Sequence, residues 1–72
     1  MIGELAKLCE QHGLSVNIEY TANEEAWDID IDNGKENVYN SFIYKGSLVI
    51  LLQNAYNATV EYLKRNERLH TM

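Results

Sequence analysis

Asp28, Asp30 and Asp32 occupy every second position of Trp27-Asp28-Ile29-Asp30-Ile31-Asp32, a stretch that runs into Asn33-Gly34. On an extended chain that spacing places all three carboxylates on one face. Carboxylates in a row can bind a cation, imitate a phosphate backbone, or simply keep a surface in solution. Same-face positions of a strand lie roughly 6.6–6.8 Å apart. The phosphate repeat of an extended single strand is of order 6–7 Å, twice the per-strand rise of duplex DNA. The row therefore has the spacing to imitate a nucleic-acid backbone toward a basic protein. Glu19, Glu24 and Glu25 lie nearby and enlarge the acidic field. The plainer reading is a solvated sheet face. Three like charges side by side in a middle strand repel one another, which solubility alone does not require.

Other chemistry finds less support. Asp-x-Asp-x-Asp resembles the start of a calcium-binding EF-hand loop, which needs Gly at its sixth position and Glu at its twelfth. Counted from Asp28, those positions hold Asn33 and Tyr39. Cys9 and His12 stand three apart on one helix face, where a thiol and an imidazole can meet. The ordinary reading is a buried small thiol beside a helix-end histidine. His70 is expected in a terminal tail. There is no glycine-rich phosphate loop. The sequence thus points to no enzyme, no metal and no cofactor. Tyr39 and Ile43 are candidate apolar anchors beside the aspartates, with Glu24 and Glu25 as the rim. Val49 and Ile50, off the main helical stripe, are candidates for a dimer contact.

The elements that must position these groups follow from periodicity. Ile2, Leu5, Leu8, Cys9 and His12 recur at helical spacing, which predicts a helix over 2–12. Gly13 supplies a left-handed cap, with Leu14 folding back on the last turn. Residues 14–21 alternate, with Val16, Ile18 and Tyr20 on one face, which predicts a half-buried strand. A second strand follows over 25–32. Asn33-Gly34 favours a two-residue type I′ hairpin turn. That turn pairs Asp32 with Lys35, Asp30 with Asn37, Asp28 with Tyr39 and Trp27 with Asn40. Val38, Phe42 and Tyr44 then face the core, and Tyr39, Ser41 and Ile43 share the open face with the aspartates. Asn40 would fall on the core face, which a bulge would relieve. Ser47 is a candidate N-cap for a long helix over 48–68, whose core stripe is Leu48, Leu51, Leu52, Ala55, Thr59, Tyr62 and Leu63. The expected fold is α+β: αβββα, a three-stranded antiparallel meander with two helices packed on one face.

Composition limits the function classes. Seventy-two residues make one domain, 1–72, with a modest core. The net charge of −5 opposes nonspecific binding to nucleic acid or to an anionic membrane. The charge is uneven. Residues 19–36 hold seven acids against Lys35, net −6, whereas residues 37–72 are net +2. A single cysteine forms no internal disulfide and fits a reducing cytoplasm. The N-terminus is polar within four residues and predicts no signal peptide. The longest apolar run, 48–52, is too short to span a membrane. Element order αβββα also resembles the double-stranded RNA-binding domain. The second helix here starts Ser47-Leu48-Val49-Ile50, without the basic residues that module uses.

Ile29-Asp30-Ile31-Asp32-Asn33-Gly34 through Tyr44, followed by 47–63, is similar in order of elements to small acidic bacteriophage proteins. More narrowly it resembles the type II-A anti-CRISPR proteins, prophage-encoded inhibitors of Cas9. The likeness covers most of the chain as a pattern of elements rather than of identities. It implies a DNA mimic, whose acidic residues occupy the basic groove where a host enzyme reads DNA. That family carries an acidic C-terminal region, and residues 64–68 here are basic. The expectation is a cytoplasmic, non-enzymatic inhibitor that binds a host protein with a basic surface through Asp28, Asp30, Asp32, Glu24, Glu25, Tyr39 and Ile43. The rival expectation is a self-associating homodimer, structural or regulatory, in which exposed apolar residues carry the function.

Overall fold

The computed structural model describes residues 2–70, with side chains described for 2–66. The chain runs α1 (Ile2–Gln11), β1 (Ser15–Thr21), β2 (Ala26–Asp32), β3 (Asn37–Asn40) and α2 (Leu48–His70). This is the αβββα order and the α+β class expected. The strands form one antiparallel sheet in the order β1-β2-β3. α1 packs against β1 and α2, and α2 packs against β2 and β3. The longest helix reaches His70, two residues past the expected end. The side chains of Glu67, Arg68 and His70 lie outside the described residues.

The core forms where the apolar stripes converge. Leu5 and Cys9 of α1, Ile29 and Ile31 of β2, and Leu51, Leu52 and Ala55 of α2 make one buried cluster. Thr59 is buried too, and its hydroxyl donates to the Ala55 carbonyl at 2.8 Å, which satisfies the one polar atom it brings. α1 ends in the expected left-handed cap. Gly13 has φ 66, the Leu14 amide donates to the Cys9 carbonyl at 2.8 Å, and the Gly13 amide donates to that of Glu10 at 3.4 Å. These two bonds define a Schellman motif, and Leu14 packs back on the core.

β1 and β2 pair along their full length, from Ser15 opposite Asp32 to Thr21 opposite Ala26. The second hairpin departs from expectation. Asp32 pairs with Asn37, not Lys35, so the loop is 33–36. Asn33 supplies the reason. Its side-chain oxygen accepts from the Lys35 and Glu36 amides, each at 2.8 Å, and its amide nitrogen donates to the Tyr62 hydroxyl at 2.8 Å. A four-residue loop satisfies two backbone donors and ties the turn to α2, which a two-residue loop would not do.

A register shift follows between Ile31 and Asp32, after which Tyr39 pairs with Ile31 and Asn40 with Asp30. Tyr39 therefore packs on the core instead of standing on the open face. Asn40 moves to the open face, and the strain of an amide on the core side is relieved. A second irregularity lies at 41–43. The Ser41 amide donates to the Ile29 carbonyl at 3.0 Å, while Trp27 pairs not with Asn40 but with Tyr44. One residue too many separates these two rungs, so Phe42 and Ile43 bulge opposite Asp28. Phe42 is 73% exposed at φ 56, and so is not the core residue that alternation alone predicts.

Candidate functional site

Ile29 and Ile31 are fully buried, and the period of two then turns Asp28, Asp30 and Asp32 to the other face of β2. Their β1 neighbours are Glu19, Asn17 and Ser15, in that order. On the β3 side, Asn40 pairs with Asp30 and Asn37 with Asp32. Along the paired stretch this face presents carboxylates, amides and a hydroxyl, and no cation.

The three aspartates are not equivalent. Asp32 is engaged by its own turn, accepting from the Gly34 amide at 2.9 Å. Asp30 accepts a hydrogen bond from the side-chain amide of Asn37. Both partners are uncharged, so each carboxylate is oriented without being neutralised. Asp28 differs again. One of its oxygens is buried with no hydrogen-bond partner among the described residues. A carboxylate oxygen left so is costly and favours any donor that approaches it.

Asp28 lies beside the bulge, and this neighbourhood brings acid and apolar groups together. The bulge is held by side chains instead of a sheet ladder. Asn40 Oδ1 accepts from the Phe42 amide at 2.6 Å. Ser41 Oγ accepts from the Ile29 amide at 2.9 Å and donates to the Phe42 carbonyl at 3.1 Å. Phe42 and Ile43, 73% and 61% exposed, flank Asp28 in register. Tyr44 then rejoins the sheet beside Trp27, whose ring meets that of Tyr20 at 4.8 Å. Ala26 follows Trp27 toward the β1–β2 turn, where Glu24 and Glu25 are exposed. Glu25 has φ 48, so this turn, like the bulge, holds a side chain in the left-handed region.

Of the expected site residues, Asp28, Asp30 and Asp32 therefore share one face, with Ile43, Glu24 and Glu25 toward its Asp28 end. Tyr39 belongs to the core. Its partial burial, with Tyr44 close by, pushes its phenol above the ordinary 10.0. Burial likewise raises the Cys9 thiol, the opposite of what a nucleophile needs. Phe42 is the site residue that sequence reasoning left out, and Glu19, read there as part of the acidic field, pairs with Asp28. The signal for Phe42 was Asn40, whose misfit on the core face marked the bulge.

A cleft of about 510 Å³ opens on the helix side between β3 and α2, lined by Glu36, Asn37, Val38, Glu61, Tyr62 and Arg65. It mixes both signs of charge, and its tyrosine hydroxyl is already engaged by Asn33. Among the described residues, no three His, Cys, Asp or Glu side chains are placed to hold a metal ion. No described helix is long and apolar enough to cross a membrane. Comparison of the chain with protein-family models, with curated proteins and with solved structures finds no match.

Proposed function

We propose that this chain is a non-enzymatic binding protein that engages a basic surface of another protein through its open sheet face. The observation that carries the reading is the composition of that face: Asp30 and Asp32 held by neutral amides, Asp28 with an oxygen left without a partner among the described residues, and no cation among them. Asp28, Asp30 and Asp32 are the charged contacts, and Glu24 and Glu25 form the rim. Ile43 and Phe42 are the apolar anchors, and Phe42 takes the place first assigned to Tyr39. Aromatic side chains beside charge are a frequent composition of binding hot spots. Charge of this kind raises association rate and selectivity more than affinity.

The aspartate spacing and the likeness of element order to phage anti-CRISPR proteins support a role as an inhibitor of a host nucleic-acid enzyme in the bacterial cytoplasm. In that role the row stands where a phosphate backbone would lie. The test is capture from bacterial lysate at low and high salt, with the native chain and with Asp28→Asn/Asp30→Asn/Asp32→Asn. Asparagine keeps a side-chain oxygen for the turn and removes the charge. A basic nucleic-acid enzyme retained by the native chain at low salt, released at high salt and lost in the triple variant supports the reading. Equal capture by the triple variant, with an unchanged circular dichroism spectrum, overturns it.

A further inference from the structure

The outer edge of β1 is unpaired among the described strands, since the sheet order is β1-β2-β3. An exposed edge is a template for another strand, and proteins usually blunt it with proline, lysine, a bulge or a short length. β1 has no proline, lysine or bulge, and its one charged side chain is Glu19. It is seven residues long, Ser15 to Thr21, and pairs with β2 without a break. Its core-side residues Val16 and Ile18 are only half-buried, and Tyr20 is 52% exposed, so apolar surface remains uncovered along the edge.

From this edge we infer that the occupant is a second copy of the chain, paired β1 to β1 antiparallel about a two-fold axis at Ile18. A two-fold axis perpendicular to the sheet keeps each face on its own side, so paired positions must share parity. Only the axis at Ile18, the midpoint of the strand, lets all seven residues pair. Ser15 then faces Thr21 of the second copy, Val16 faces Tyr20, and Ile18 faces itself. On the open face Asn17 lies opposite Glu19, so the strand's one charge meets an amide and no like charges oppose. An axis at Glu19 would set carboxylate against carboxylate. The product is a six-stranded sheet from two three-stranded ones, with helices on one side. Its two aspartate rows lie three strand spacings, about 14 Å, apart on the other.

The inference does not depend on the acid face having a ligand, and its test needs none. Sedimentation of the native chain should give a reversible dimer of twice 8.3 kDa. Asn17→Lys/Glu19→Lys places like charges opposite one another at both copies' paired positions, and should raise the dissociation constant at least tenfold. Glu10→Lys/Gln11→Lys, two exposed changes on α1, should not. Register is read separately by mixing Asn17→Cys with Glu19→Cys chains under mild oxidation. Mixed disulfides should exceed the statistical proportion, because only unlike positions face one another. A monomer at every concentration, a dimer indifferent to the paired lysines, or statistical disulfides would each overturn the proposal. The last two would place the contact on another surface, such as Val49 and Ile50.

Discussion

At the scale of single residues, Phe42 departs furthest from what its type favours. A bulky side chain at positive φ costs about 1–2 kcal/mol relative to the right-handed region. The fold sustains this with three side-chain hydrogen bonds around Asn40 and Ser41 and gains no burial, since the ring stays exposed. Strain held without a packing return is the pattern of a functional position. Phe42→Gly should therefore leave stability unchanged or raise it by up to about 1 kcal/mol, since relief of strain outweighs added chain entropy. The same change should weaken partner binding about tenfold or more. Urea denaturation and a binding titration on one sample measure both. A stability loss above about 1 kcal/mol would show that the ring supports the fold instead.

At the scale of elements, the Asn33–Tyr62 bond joins the acidic hairpin to the long helix. Asn33→Ala removes acceptors for two amides and the donor to Tyr62, and should cost about 1–3 kcal/mol. Tyr62→Phe removes only the bond between the turn and the helix, and should cost about 0.5–1.5 kcal/mol. Because Asn33→Ala removes that same bond along with the turn's acceptor, Asn33→Ala/Tyr62→Phe should cost less than the sum of the two single changes, which a double-mutant cycle in urea checks. This loop also shows where legibility stopped. The helices, β1 and β2 were readable because each carries its own apolar period, and Gly13 because only a left-handed cap explains it. Asn33-Gly34 announced a turn but not its length, which the Tyr62 hydroxyl helps to set from 29 positions away. Two irregularities, one within β3 and one just after it, then moved Tyr39 inward and Phe42 outward. A period of two cannot anticipate a bulge, except through a misfit such as Asn40. The aspartate face was legible because the isoleucines between its members had to be buried. The unequal engagement of the three aspartates was not, because it depends on the turn and on Asn37.

At the scale of the whole molecule, the buried thiol of Cys9 and the half-buried phenol of Tyr39 bear on stability at high pH. Both are held above their ordinary values of 9.0 and 10.0 when folded, so the unfolded chain loses these protons first. Their contribution is complete below about pH 9 and falls as pH rises through the folded values. The melting temperature should accordingly decline from about pH 9 upward, Cys9 acting first and Tyr39 later. Cys9→Ala should delay the onset toward pH 10 while lowering stability at every pH. A native melting temperature level to pH 11 would contradict this. The same hairpin bond that joins the elements also sorts the charge along the molecule. Because Asn33 meets Tyr62, the turn with Lys35 lies near Arg65, which lines one cleft with Glu36 and Glu61 and offsets their charge. At the opposite end of β2, Glu19 pairs with Asp28, and Glu24 and Glu25 follow in the adjoining turn. In a body 46 Å long and 16 Å thin, that imbalance is an electric dipole with a lever arm. The field of a positively charged surface would exert a torque on it before contact, turning the bulge foremost and the Lys64–Arg65 end behind.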